Sequence, residues 1–377
     1  MSCAPLSPRC SPIRRSGGGS ARPALPSCAA TRARPAGCSI SSFGEAPVQR
    51  RERLLFALGR PFGPLYGVLM RWRAALYRCG VFPSSRLPVP VVSIGNLTWG
   101  GTGKTPMVAA IAAFLRAKGR RPAVVSRGYG GGNRRPVLVV SDGEHLLAGP
   151  DEAGDEPCLL GRRLSGVPVV VARRRALGGM VAVERLGCDV VLLDDGFQHL
   201  ALRRDLDIVL FRGADPLGNG RIFPAGPLRE PFTALCRAGC FVLTGKAAWP
   251  ETLARRLDRL FPAIPRYAAP LRPRAVASGD GEGATSPLAA IRGQRIVAFC
   301  GIADPGGFRR LLEEGGAELA DWLVFPDHHR YQPADIQRIG QRLARTKAAF
   351  ACTTEKDLVK IGRPPFPLVA LTVELQP

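Results

Sequence analysis

The chain is predicted to be an α/β protein: a mostly parallel sheet with helices on both faces, preceded by an amphipathic helical segment and followed by a smaller C-terminal α/β unit. Three observations predict this. From residue 89 onward, short apolar runs alternate with helix-like segments, the pattern of parallel strands joined by crossover helices. One run leads through a glycine-rich stretch directly into a helix-like segment over 107–118. A Pro/Gly/Ser-rich stretch near 269–287 then separates these runs from a second, shorter series.

Taken in order, residues 1–44 contain much Arg, Ser, Pro, Ala and Gly and no acidic residue. Such a composition cannot bury a core. It superficially resembles a transit peptide or an upstream start, but a disordered tail over 1–49 is the expectation. Residues 50–82 differ. Leu65, Val68, Leu69, Trp72 and Leu76 fall on one helical face, with Arg71, Arg73 and Arg78 off it. A basic amphipathic helix carrying Trp suits a bilayer interface, although a helix packed on the main domain has the same pattern. A core is expected over 83–270, with strands at 89–94, 123–126, 137–140, 167–172, 190–193, 207–211 and 241–244. A linker over 271–288 and a smaller unit over 289–377 follow, the latter with strands at 295–300, 322–325, 348–353 and 368–371.

Composition narrows the partners. With 377 residues and 46% apolar content, the chain can bury a sizeable core. No run reaches the roughly 18 apolar residues of a spanning helix. A net charge of +23 implies an anionic partner, unless an arginine-rich genome explains part of it. The basic residues are dispersed and no helix-turn-helix or RNA-binding aromatic motif occurs, so nucleic acid is not expected. Of the 11 cysteines none forms a C-x-x-C pair, which favours reduced thiols over a zinc site.

The chemistry starts with Gly95-Asn96-Leu97-Thr98-Trp99-Gly100-Gly101-Thr102-Gly103-Lys104-Thr105. A strand, a glycine-rich turn and a helix form a phosphate cradle. Backbone amides of Gly100, Gly101, Thr102 and Gly103 can face phosphate oxygens, Lys104 can reach the β/γ-phosphates, and the Thr105 hydroxyl can bind Mg²⁺. The fold is therefore P-loop NTPase-like, with Thr98 standing where the usual motif has its first glycine. The run 190–193 ends in Asp194-Asp195-Gly196-Phe197-Gln198-His199. Acids at the tip of a buried strand hold Mg²⁺ or its water shell in such folds, and either aspartate could bind directly. Arg127 ends another strand. Asp155 opens a helix, where a cap is the commoner role. Arg221, Arg229 and Glu230 lie in a Gly/Pro-rich loop, and His328 and His329 follow Asp327.

Together these stretches resemble the tetraacyldisaccharide 4′-kinases of lipid A biosynthesis. The resemblance runs from about residue 50 to the C-terminus. It rests on the glycine loop, Ser126-Arg127-Gly128-Tyr129, Gly154-Asp155-Glu156-Pro157, the Asp194 motif, the loop over 218–230, Gly301-Ile302-Ala303-Asp304-Pro305, the motif over 325–331 and Thr354-Glu355-Lys356-Asp357. Ala303 departs from the family's usual glycine. The resemblance implies an ATP- and Mg²⁺-dependent kinase that phosphorylates the 4′-hydroxyl of a tetraacylated glucosamine disaccharide 1-phosphate, a lipid A precursor, to give lipid IVA. It also implies peripheral attachment to the anionic, cytoplasmic face of the inner membrane, and a monomer is expected. Asp155 would take the hydroxyl proton, assisted by His328, which requires the second unit to close over the first. Asn96, Arg127, Arg221 and Arg229 are expected to face substrate, and Thr105, Asp194, Asp195 and Glu230 to surround the metal. The glycine loop also resembles that of partitioning-type deviant P-loop ATPases, but Trp99 stands where those carry a signature lysine.

Overall fold

The computed structural model describes residues 55–213, 215–279 and 285–376. The tail expected over 1–49 lies outside them. Helix α1 (Gly63–Arg78) starts with Pro64 in its first turn, where a missing N–H costs nothing. It packs on the protein through its small face: Gly63 and Gly67 are buried, against Ala225 and Ile222. Its apolar stripe is left outside, with Leu65 70%, Leu69 58% and Trp72 69% exposed. The helix is thus docked, but not through the stripe that the periodicity singles out. Arg73 also departs from expectation, because it turns inward and donates to the Gln198 carbonyl at 3.1 Å.

The first sheet has eight strands in the order β3-β4-β2-β5-β1-β6-β7-β8. These are β1 (Val91–Asn96), β2 (Pro122–Ser126), β3 (Val137–Ser141), β4 (Val169–Ala172), β5 (Val190–Asp194), β6 (Leu206–Arg212), β7 (Cys240–Thr244) and β8 (Arg266–Ala269). All neighbours are parallel except the β3–β4 edge pair. β2, β4 and β5 are buried along their whole length, as a sheet covered on both faces requires. Helix α2 (Lys104–Ala117) covers one face, placing Met107, Val108 and Ala112 against Ile94, Val124 and Leu192. On the other face, α5 (Arg175–Glu184) packs Ala176 and Met180 on Val125, Val170 and Val191. Between them in sequence lie the short α3 (Pro150–Ala153) and α4 (Asp155–Arg163), and α6 (Glu251–Leu260) follows β7.

The second sheet has six strands in the order β10-β9-β14-β13-β11-β12, with β9 (Leu271–Ser278), β10 (Thr285–Pro287), β11 (Arg295–Cys300), β12 (Glu318–Val324), β13 (Phe350–Thr354) and β14 (Leu368–Leu375). The stretch 271–288 is therefore not a linker. Its 271–278 part is a strand paired antiparallel with β14, Arg272 opposite Glu374 and Val276 opposite Leu371. Pro273 is tolerated because it sits at the ladder's irregularity near Thr372 and Val373, and so a strand with linker-like composition forms. Helices α7 (Pro305–Glu314) and α8 (Pro333–Thr346) cover opposite faces of this sheet through Phe308 and Leu312, and through Ile339 and Leu343. The short α9 (Glu355–Leu358) follows β13, and its Glu355 pairs with Arg163 of α4 at 3.2 Å, tying the sheets together.

The described cysteines are free; Cys158, Cys188, Cys300 and Cys352 are buried core thiols as expected, whereas Cys79 and Cys236 are exposed. Burial pushes the thiol pKa of Cys158 and Cys188 to about 11, and that of Cys300 and Cys352 to about 12.

Gly95, one residue before the end of β1, has Phe197 directly against it. A Cβ there would lie 2.6 Å from the Phe197 Cβ and 2.8 Å from its backbone nitrogen. Since Phe197 is fully buried and cannot yield, Gly95→Ala is expected to cost about 1–3 kcal/mol by overpacking. A lowered midpoint in urea unfolding would register it; an unchanged midpoint would contradict this packing.

Candidate active site

β1 is the central strand, and β5 lies beside it with Asp194 opposite Ile94. The acid tip of β5 therefore stands next to the root of the phosphate loop, at the carboxyl edge where such sheets bind ligands. Thr102 fixes the loop from below, its carbonyl accepting from Thr244 Oγ1 at 2.8 Å. The loop over 218–230 braces it from the side. Trp99 N–H donates to the Pro227 carbonyl at 2.9 Å, Arg229 N–H donates to the Leu97 carbonyl at 2.8 Å, and the Trp99 ring stacks on Phe223 at 4.9 Å. Gly100 and Gly101 remain exposed, and Gly103, Lys104 and Thr105 are half-buried. Asn96 does not face the open cleft. It is fully buried, donating to the Thr98 carbonyl at 2.7 Å and accepting from Lys104 Nζ at 3.3 Å. Asn96 thus positions the lysine.

The two aspartates have opposite environments. Asp195 lies 3.7 Å from Lys104 Nζ, and Arg229 donates to both of its oxygens, at 3.0 and 2.8 Å. Burial would raise its pKa, but Lys104 and Arg229 outweigh it and hold the carboxyl below the usual range. Asp194 accepts from Ser126 Oγ at 3.1 Å through one oxygen, while its buried Oδ1 has no partner. Burial, with Glu156 and Asp195 nearby, pushes its pKa up to about 7. A buried carboxylate oxygen without a donor is stabilised by a cation, so Asp194 fits a metal better than Asp195 does. Glu230 does not join them: it is buried and paired with Arg237 at 2.7 Å. Among the described residues no three Asp, Glu, His or Cys side chains form a ligand cluster. The site suits Mg²⁺, which keeps several waters and phosphate oxygens around itself.

Asp155 is placed by close backbone packing. Gly154, at φ 91°, precedes it, and a Cβ on Gly154 would come 2.4 Å from the Tyr129 carbonyl. Only glycine allows the turn that brings the Ser126–Gly131 segment and the start of α4 together. From the second sheet, His328 reaches across with Nδ1 3.4 Å from Asp155 Oδ2. Its other nitrogen, Nε2, is 3.1 Å from Lys356 Nζ, which also lies 3.4 Å from Glu156 and 3.6 Å from Asp327. An ammonium has only protons to give, so Nε2 must accept and the imidazole proton sits on Nδ1, facing Asp155. His328 holds φ 59°, and Asp195 φ 54°, both left-handed conformations unusual for side-chain-bearing residues. Lys360 approaches Asp155 to 3.8 Å. Burial raises the Asp155 pKa, but His328, Lys360 and Lys356 together win, leaving it below the usual carboxylate range. The neighbouring His329 is structural, bonded to Asp335 at 2.8 Å and stacked on Phe325.

A family model described as tetraacyldisaccharide-1-P 4′-kinase (LpxK) matches residues 55–377. The chain belongs to this family. A tetraacyldisaccharide 4′-kinase of Pelobacter propionicus is 46% identical over 315 residues, 82% of this chain and 84% of that one. Another, from an Anaeromyxobacter strain, is 48% identical over 292 residues, 77% and 78% of the two chains. The crystal structure of LpxK from Aquifex aeolicus in complex with ATP aligns with a TM-score of 0.66 at 32% identity, covering 84% of this chain and 93% of that chain.

Within this 4′-kinase chain, the structure brings together Lys104, Asp194 and Asp195, and separately Asp155 and His328. Glu156 links the two groups, acting on Asp194 and pairing with Lys356. Arg127 and Arg221 are exposed, one at the tip of β2 and one on the bracing loop. Sequence reading missed Ser126, Glu156, Lys356 and Lys360 as contributors, although all but Lys360 lie inside motifs it singled out. It also missed Arg175, which is 3% exposed and donates to the Ala172 and Arg173 carbonyls at 3.3 Å. Burial lowers its pKa to about 10, which still leaves it charged near Asp194 and Asp195. Nothing in a run of three arginines marks the third as the buried one.

Removing a cation beside Asp155 favours its protonated form. Lys356→Gln is therefore expected to move the acid limb of the kcat/KM pH profile to higher pH. An unmoved limb would show that Asp155 does not set it.

Proposed function

We propose that this protein transfers the terminal phosphoryl group of ATP to the 4′-hydroxyl of a tetraacylated glucosamine disaccharide 1-phosphate at the cytoplasmic face of the inner membrane. The observation that carries the reading is that a phosphate loop and an ionised, half-buried carboxylate, Asp155, occupy the same sheet edge. They are joined by one chain of charged groups: Lys104, Asp195, Asp194, Glu156, Lys356 and His328.

Amides of the glycine loop and Lys104 bind the phosphates of ATP and hold the terminal one in line. Thr105 and Asp194 would hold Mg²⁺, which when bound neutralises charge on the phosphate oxygens. The sugar hydroxyl must lose a proton as it attacks, and Asp155 accepts it. His328 donates its Nδ1 proton to one oxygen of Asp155, so that the other stays free for the hydroxyl. Its role is orientation, because its remaining nitrogen is committed to Lys356. The close approach of His328 to Asp155 and of Ala303 to Gly101 supports a role for the second sheet's loops in keeping water from ATP.

Membrane attachment is supported by α1. Its stripe of Leu65, Leu69 and Trp72 is exposed, with Arg71 and Arg78 also exposed on the same helix, an arrangement suited to an anionic interface. No described helix is long and apolar enough to cross a membrane.

Incubation with Mg-ATP and the monophosphorylated disaccharide lipid should add a second phosphate detectable by mass; no addition would reject the proposal. Asp155→Ala should lower turnover by about 10²–10⁴-fold with little change in the KM for ATP. Near-normal turnover would remove Asp155 from the mechanism. Binding to phosphatidylglycerol vesicles should weaken with added salt and with Trp72→Ser. Binding indifferent to both would disconnect α1 from the membrane.

A further inference from the structure

The carboxyl edge of the first sheet carries a second basic centre, two strands away from the phosphate loop. β2 runs beside β4 with Ser126 opposite Val171, and β3 runs beside β4 with Val137 opposite Ala172. These registers bring the residues just after β2, just after β4 and just before β3 to one place. Arg127, Arg173 and Arg135 there line a small cleft of about 30 Å³, together with Asn133, Gly128 and Glu152. Three arginines and one glutamate are thus among the residues lining it, and among the described residues none of the three arginines makes an ion pair. The surplus of two positive charges matches a phosphate dianion, and forked guanidiniums are suited to its oxygens.

The cleft is fixed relative to the proposed base. Asn133 N–H donates to the Glu152 carbonyl at 3.1 Å and Gly132 N–H to the Asp151 carbonyl at 2.7 Å. Glu152 belongs to α3, which leads through Gly154 into Asp155. Arg229, another candidate for a substrate phosphate, is occupied by Asp195.

We propose that the Arg127–Arg135–Arg173 cleft seats the anomeric phosphate of the acceptor, anchoring the far end of the disaccharide while its 4′-hydroxyl meets Asp155. The inference rests on the proposed kinase reading and adds the determinant by which the enzyme recognises a phosphorylated acceptor.

The test compares the full-length protein with Arg135→Gln/Arg173→Gln, two exposed positions whose change should leave the fold intact. Binding of the disaccharide lipid with and without its anomeric phosphate is measured in neutral detergent micelles without ATP. The wild type should prefer the phosphorylated lipid by about ten-fold or more, and the double variant should lose most of that preference. In turnover assays the loss should fall on the KM for lipid, leaving the KM for ATP in place. A wild type without preference, or a variant that keeps it, overturns the proposal. So does a variant that loses only its affinity for phosphatidylglycerol vesicles, which would assign the arginines to the membrane surface. Because binding is read without catalysis, a wild type that binds selectively yet transfers no phosphate would reject the kinase reading and leave the cleft standing.

Discussion

Asp194 sits at the centre of the structure's electrostatics because the sheet gives it no alternative. The pairing of β5 with β1 puts its carboxylate beside the phosphate loop, inside a layer covered on both faces. One oxygen has a donor in Ser126 and the other has none. Burial disfavours the charge, and Lys104, Arg175 and Arg229 gather within reach of the aspartate pair. The surrounding groups are intelligible as responses to this pair: Arg229 grips Asp195, Asn96 steers Lys104, and Glu156 extends the negative charge toward the second lobe. The arrangement is incomplete by itself and is suited to receive a cation with its phosphates.

The same logic governs the junction between the lobes. A carboxylate from one sheet and an imidazole from the other meet at 3.4 Å, and neither is held only by the other. Lys356 fixes the far nitrogen of the imidazole, and Lys360 stands close to the carboxylate. The strained backbone at His328 fits such a position, where local discomfort is offset by a network that admits few other arrangements.

Much of this was legible from residues alone. Strands such as 190–193 and 123–126 are continuous apolar runs, and their alternation with helices leaves few topologies. The glycine loop and the acid tip of β5 were found by their spacing, and the pairing of Asp155 with His328 came only through the family resemblance. What was not legible depended on distance in space. Glu230 looked like a metal ligand beside Arg229, yet the chain turns it to Arg237. The strand at 271–278 hid behind Pro and Ser, because its pairing with β14 could not be read from its own composition. Asn96 and Arg175 acquire their roles from burial, which a linear sequence does not display.

Helix α1 rests on the body through two glycines, and the surface they touch, at Ile222 and Ala225, belongs to the loop whose Phe223 supports Trp99. The outward-facing helix and the nucleotide cradle are therefore mechanically in series, with the proline-rich segment as one coupling and the Arg73–Gln198 hydrogen bond as another. Any tilt imposed on the helix by its surroundings is borne first by these links and passed to the turn that must hold three phosphates in line.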